Sequence, residues 1–359
     1  MGLQNQKISS GQVKWLIVGF LLGGTILTDP GSNAGHIGWL AIIIGLIYGF
    51  LISIIFLELS KRFPNQSPIQ YNQKLFGVYL GYLVSLGQIL IALSVTVVIV
   101  KDFLIFYTIV LPETPQTAFA IPMVLILSYT ALKGVEAFSR SAHVLVPVSI
   151  VMIYFVTSLA VPLLDYYKIL PLTIDSPRLF WRTTLSIISF PFSEMVVFLM
   201  ILPMVADRNK LKHKYLSGLL LGTLTLLIVS IRNIAVFGNG IATMMFPSIS
   251  LARCISLGDI LTRFEIFVGL SFNLLGFVAT CVSFYAMVSS TAELLKLDSY
   301  KVVILPSAFL IFVFAMQTPS NLEFISWFDA YIWPYITLLF GLFFPLIGLI
   351  RSKILDLGS

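Results

Sequence analysis

Ser189-Phe190-Pro191-Phe192-Ser193-Glu194 lies in the middle of an otherwise apolar stretch that runs from Phe180 to Val205. Pro191 removes one backbone donor and its ring clashes with the preceding turn. Glu194 would cost about 2.5 kcal/mol or more in hydrocarbon. A helix facing lipid does not tolerate this pair. Such an interruption persists only where it is buried in protein or lines a watery cavity. A second interruption, Gly23-Gly24-Thr25, falls in the first apolar stretch. Interrupted helices at matching positions of two halves point to the substrate site of a transporter-like fold.

The composition agrees with a membrane setting. Of 359 residues, 58% are hydrophobic and 11% charged, and the mean hydropathy is +0.98. A soluble domain carries about 25% charged residues. The two cysteines, Cys254 and Cys281, have no metal spacing and read as small apolar residues. The polar segment from Met1 to Lys14 leads directly into a full span and lacks the pattern of a cleaved signal peptide. Spans of ~20 apolar residues are predicted over roughly 11–33, 37–60, 77–110, 118–133, 134–162, 178–205, 212–238, 259–295, 301–318 and 324–351. The fourth runs into the fifth at Lys133-Gly134. Phe246 to Arg253 reads as a short amphipathic helix on the outer surface, and 64–76 as an interfacial element on the inner side.

Charge orients these spans. With the N-terminus in the cytoplasm, one side collects fifteen of the 22 basic residues, among them Lys61, Arg62, Arg208, Lys210, Lys212 and Lys214. The outer loops keep Lys168, Arg178 and Arg253, so both termini are expected in the cytoplasm. The bias does not indicate nucleic-acid binding. Ten spans divide into five plus five, residues 1–165 and 166–359, and the first span of each five is the interrupted one. An odd number of spans per repeat sets the halves in opposite orientation. The expected fold is therefore an all-α polytopic membrane protein, a five-plus-five inverted repeat of the LeuT type with broken helices 1 and 6.

A broken helix exposes N–H groups at the start of one half and C=O groups at the end of the other. The first favours a carboxylate, the second an ammonium group, and together they suit a zwitterionic amino acid. Gly23 and Gly24 let a ligand approach the backbone, or alternatively serve helix–helix packing. Thr25 and Ser193 offer hydroxyls at the same depth, beside Pro191 and Phe192. Glu194 either caps the second half-helix, reads a ligand ammonium, or carries a proton. Ser94 in span three and Asn273, Thr280 and Ser283 in span eight flank the breaks, although isolated hydroxyls in membrane helices often bond their own backbone. Arg232 is expected to neutralise Glu194 or a carbonyl end, Lys101 and Asp102 to diverge, Asp259 and Arg263 to pair at i, i+4, and Asp29 to cap span one. No nucleophile–base pair, metal cluster or phosphate loop is present in the sequence, and no cofactor or enzymatic chemistry is expected.

Taken with Lys7-Ile8-Ser9 and Gln12, Leu27-Thr28-Asp29-Pro30, Lys61-Arg62-Phe63-Pro64, Leu111-Pro112-Glu113-Thr114-Pro115, Phe246-Pro247, Leu251-Ala252-Arg253 and Gly258-Asp259 with Arg263 and Glu265, the chain resembles the B subunits of nutrient germinant receptors of spore-forming bacteria (the GerAB type), within the amino acid–polyamine–organocation superfamily. Ser189 to Glu194 resembles that family's Ser-Phe-Pro-Phe-Gly-Glu, with Ser193 in place of glycine, which adds a hydroxyl and a Cβ at the break. The resemblance implies a subunit that recognises a small-molecule nutrient, often an amino acid, beside A and C subunits in the spore inner membrane. Three functions stay open: a germinant sensor, a proton- or sodium-coupled amino acid permease with Glu194 as the proton site, and a scaffold that binds nothing.

Overall fold

The computed structural model describes residues 6–256, 263–319 and 322–357. Long helices dominate: α1 (Ser10–Thr28), α2 (Gly38–Arg62), the short α3 (Pro68–Phe76), α4 (Val78–Val110), α5 (Gln116–Lys133), α6 (Val135–Leu159), α7 (Pro177–Ile187), α8 (Arg208–Phe237), the short α9 (Pro247–Cys254), α10 (Glu265–Leu294), α11 (Lys301–Gln317), α12 (Leu322–Tyr331), α13 (Trp333–Leu338) and α14 (Phe344–Ile354). Among the described residues, nine stretches are long and apolar enough to cross a bilayer. The remaining expected span, 301–318, is α11, an apolar helix of 17 residues, just short of a full crossing. Short helices are present in both stretches where surface elements were expected, as α3 and α9, and most of α9 is buried against the bundle.

Local sequence explains the boundaries. Ser9 and Gln12 bond each other's backbone N–H groups at 3.2 and 2.8 Å and so cap α1. Gly134 separates α5 from α6 at φ +84°, a conformation that favours glycine. α1 runs through the middle of the bundle against α8, α10 and α6, and α10 packs in turn on α4 and α6. In the stretch that contains α7, 78% of the span is buried, against 22% in α5, so the interrupted helix is internal and α5 is peripheral.

The break at Pro191 is real. α7 ends at Ile187, a π turn covers Ile188–Phe192, and a 3-10 helix continues over Ser193–Met200. Phe190 leaves helical geometry at φ −115°, ψ 118°, the extended conformation that a following proline imposes. The expected break at Gly23-Gly24-Thr25 is absent: α1 is one α-helix from Ser10 to Thr28. Two glycines cost a helix about 1 kcal/mol each relative to alanine, but close packing offsets this. A Cβ at Gly23 would stand 2.7 Å from the Cβ of Ala279 and 3.1 Å from the Leu275 carbonyl oxygen. The packing role therefore describes Gly23.

A strap of N-terminal residues ties one end of the bundle together. Ile8 donates to the Met204 carbonyl and accepts from Ala206 N–H, both at 3.0 Å. Ser10 donates from its backbone and its hydroxyl to the two carboxylate oxygens of Asp207, at 2.5 and 2.7 Å. Lys7 N–H donates to Glu136, and Val135 N–H to Gln6. Burial works against the charged form of Asp207, but the bonds from Ser10 and the charge of Lys210 outweigh it and hold this carboxyl below its ordinary 3.8. A carboxylate with a depressed folded value contributes stability above its unfolded value and loses it as pH falls through the folded one. A spin label on Lys7→Cys is therefore expected to stay immobile from neutral pH down to about 4 and to become mobile in stronger acid. With Asp207→Asn added it is expected to be mobile throughout; an immobile label in that variant would mean that the backbone bonds suffice.

Candidate functional site

The π turn brings side chains from five helices together. Phe190 turns its ring onto α1, where a Cβ at Gly24 would stand 2.9 Å from its Cζ and 4.0 Å from Oδ2 of Asp102 on α4. Ser193 donates from its hydroxyl to the Ile188 carbonyl at 2.9 Å, a group that also accepts the Ser193 backbone N–H in the π turn, and its hydroxyl lies 2.7 Å from that of Tyr48 on α2. The hydroxyl that stands where the family pattern has glycine is thus held by two partners. Glu194 is 4% exposed and accepts a 2.7 Å bond from the indole Nε1 of Trp333. Ser189 shares a 2.7 Å bond with Thr337.

The last span forms the opposite wall. Asp329, Trp333, Thr337 and Gly341 recur every four residues, the spacing of one helix face. A Cβ at Gly341 would meet the Ser193 carbonyl oxygen at 2.6 Å, which explains the small residue there. A second π turn, Leu339–Phe343, lies at this contact; such turns often mark functional sites. Asp102 stands beside Gly24 and the Phe190 ring, and Asp329 precedes Trp333, the donor to Glu194, by four residues. Among the described residues, no cation forms an ion pair with any of the three. Nor is any group of three or more His, Cys, Asp or Glu side chains placed to hold a metal ion.

Several expected site residues are engaged elsewhere. Phe192 is inserted against Gly45 and Gly49 of α2, its ring 2.7 and 2.6 Å from where a Cβ would be, so Phe190 and not Phe192 covers Gly24. Thr25 donates to the Leu21 carbonyl at 2.5 Å and Thr280 to Gly276 at 2.6 Å. Ser283 bonds Ala279 and accepts from Thr96. Asn273 accepts from Tyr107 at 2.6 Å. Ser94 is half-buried and no described residue bonds it. No hydrogen bond links Thr280, Ser283 or Asn273 to the break. Arg232 does not reach Glu194: it bonds Thr157, Asn233 and Ser248 near Asp29, which itself accepts from Ser230 and Asn233. Arg263 pairs with Glu265 at 3.4 Å, and Asp259 lies outside the described residues. Asp102, Phe190, Asp329, Trp333 and Thr337 were not expected at the site. The four-residue recurrence of polar positions in the last span was the available signal.

Beneath the N-terminal strap opens a separate cavity of about 920 Å³, lined by Gln6, Ser67, Met200, Arg208, Glu293 and Tyr300 among others. Met200 follows Glu194 by six residues on a helix that rises about 2 Å per residue, and no residue of the break lines this cavity.

The chain matches known proteins along nearly its whole length. A family model described as spore germination protein (Spore_permease) covers residues 7–325. Spore germination protein KB of Bacillus subtilis (strain 168) is 26% identical over 362 residues, 98% of this chain and 97% of the relative. Spore germination protein YndE of the same organism is 21% identical over 300 residues, 81% and 82% of the two chains. Among solved structures, a Na+-coupled sialic acid symporter in a substrate-bound outward-open state superposes with a TM-score of 0.70 at 11% identity, covering 98% of this chain and 80% of its own. Mhp1, a nucleobase-cation-symport-1 family transporter in a closed conformation, gives 0.70 at 10% identity over 99% and 92%. MhsT in complex with L-phenylalanine gives 0.64 at 15% identity over 97% and 99%. At such identities the structures speak to the fold alone, which is that of LeuT-like transporters. This membrane chain belongs to the spore germination protein family.

Proposed function

We propose that the chain is the nutrient-sensing membrane subunit of a germinant receptor, and that its ligand binds at the break in α7 opposite Gly24. The observation that carries this reading is the set of carboxylates about the break, Asp102 beside Gly24 and the Phe190 ring, Glu194 on the Trp333 indole and Asp329 four residues before Trp333, with no paired cation among the described residues. Buried charges are normally paired, and a ligand ammonium group supplies the missing partner. An amino acid fits this requirement, and a transporter of the same fold was solved with L-phenylalanine bound. In this reading Gly24, Pro191, Ser193 and Glu194 form the ligand-facing wall. The halves 1–165 and 166–359 act as the two inverted repeats. Both termini lie in the cytoplasm, the membrane is the spore inner membrane, and A and C subunits convert the bundle's change of state into germination. A ligand drives that change only by binding one state better than the other.

The test is thermal stability of the purified chain against a panel of amino acids and sugars. Stabilisation by a bound ligand grows with its concentration over Kd. Selective stabilisation by an amino acid supports the sensor, and no stabilisation by any ligand favours a scaffold. A second reading, a proton- or sodium-coupled permease, draws on Glu194 at the break and on the symporter fold; uptake of a stabilising ligand in vesicles would support it. Glu194→Gln is expected to weaken ligand binding by roughly tenfold or more, the effect of losing a charged hydrogen-bond partner. Unchanged affinity in that variant would remove Glu194 from the ligand.

A further inference from the structure

We propose that Arg182 is the carboxylate-reading residue of this site, so that the ligand lies along α7 with its carboxylate toward Arg182 and its ammonium toward Asp102, Glu194 and Asp329. The proposal rests on the ligand-site reading above and adds the residue that reads the carboxylate and the ligand's direction.

Arg182, Ser186 and Phe190 follow one another at intervals of four residues along the interrupted helix. All three are half-buried, while Thr183, Thr184 and Ile187 beside them are buried. At one end of this stripe the Arg182 guanidinium lies over the Tyr331 ring, 4.1 Å from its centroid. Tyr331 stands between Asp329 and Trp333 in the chain, the last of which bonds Glu194. At the other end the Phe190 ring covers Gly24 beside Asp102. The stripe therefore leads from Tyr331 to the carboxylates.

Its polar groups are unused. Arg182 lies within a membrane-spanning stretch, where a guanidinium is costly and normally has a named partner. Among the described residues it has no carboxylate within ion-pairing distance. Stacking on an aromatic face leaves the N–H fork at the guanidinium edge free. Ser186 is unusual as well. Thr25, Thr96 and Thr184 each donate to the carbonyl four residues back, whereas Ser186 makes no such bond among the described residues. A planar fork of donors beside a free hydroxyl matches a carboxylate, which guanidinium binds in bidentate fashion. Eight residues, five of them in α7 and three in the π turn, separate Arg182 from Phe190, on the order of 10 Å along the axis. To read a carboxylate at the break, the guanidinium must leave Tyr331 and turn inward.

The experiment measures thermal stabilisation of the full-length chain by each standard L-amino acid and by the matching amine that lacks the carboxylate. Wild type is compared with Arg182→Gln and Arg182→Lys. Wild type is expected to bind its amino acid at least about tenfold more tightly than the amine, the scale of one charge-assisted bidentate contact. Arg182→Gln is expected to reduce that preference to within about twofold by weakening the amino acid and leaving the amine unchanged. Arg182→Lys keeps the charge without the fork and is expected to fall between; it also serves as the reporter should the glutamine variant not fold. A preference retained in full by both variants overturns the role of Arg182 while leaving the site at the break intact. Equal binding of amino acid and amine by wild type overturns it too. Stabilisation by no amino acid overturns the ligand-site reading itself.

Discussion

Replacing Gly24 with tryptophan is expected to abolish ligand binding while leaving the chain inserted and folded. A Cβ alone at this position would come within 2.9 Å of the Phe190 ring; an indole must displace that ring and occupy the space beside Asp102. Apparent affinity should fall by more than roughly a hundredfold, equivalent to about 2.7 kcal/mol. The measurement is ligand-induced thermal stabilisation of wild type and Gly24→Trp side by side, with gel filtration of both in detergent. Gly24→Ala provides the graded comparison, since a ring edge can give way by a few tenths of an ångström where a backbone cannot. Gly23→Ala presses instead on Ala279 and on the Leu275 carbonyl, so it is expected to lower stability rather than binding. Normal ligand stabilisation of a folded Gly24→Trp would remove the proposed site.

Arg232→Ala is expected to have the largest effect on stability. The guanidinium is 4% exposed and Asp29 fully buried. Arg232 bonds Asn233, Thr157 and Ser248 at 2.8, 3.0 and 3.2 Å. Ser248 in turn donates to the Ile26 carbonyl at 2.8 Å, so the network clamps α1, α6, α8 and α9. Removing the arginine takes the charged donor from buried Asn233, Thr157 and Ser248, at about 1.5–3 kcal/mol for a hydrogen bond to a charged group. The midpoint of thermal unfolding in detergent should fall by about 5 °C or more. Adding Asp29→Asn should recover part of the loss, because the two groups share one network and their effects do not add. Simple additivity would mean that Arg232 acts through packing alone.

The membrane character and nine of the ten expected crossings were legible in composition and hydropathy, because a bilayer demands long apolar stretches whatever the neighbours. The short helices α3 and α9 were legible in their prolines and amphipathic pattern. The break at Pro191 was equally plain, since a missing N–H and the restriction on Phe190 act locally. The supposed break at Gly23-Gly24 was misread because glycine permits either a ligand or a neighbouring helix to approach, and the choice depends on Ala279 and Leu275, more than 250 residues away.

The candidate site was half legible. Ser193 and Glu194 sit where the interruption predicts, as does Gly24. Which ring covers Gly24 depended on the turn at Phe190, which aims one phenylalanine at α1 and drives the next between the glycines of α2. Serine and threonine positions misled for a related reason: a hydroxyl on a helix satisfies itself four residues back unless something else competes. The sequence by itself determined a membrane bundle with one internal helix broken at Pro191, because those constraints are local or set by the solvent. Only the tertiary structure decided that Asp102 and Asp329 join Glu194 there and that Arg232 is held at the far end of α1, because charges pair across space and not along the chain.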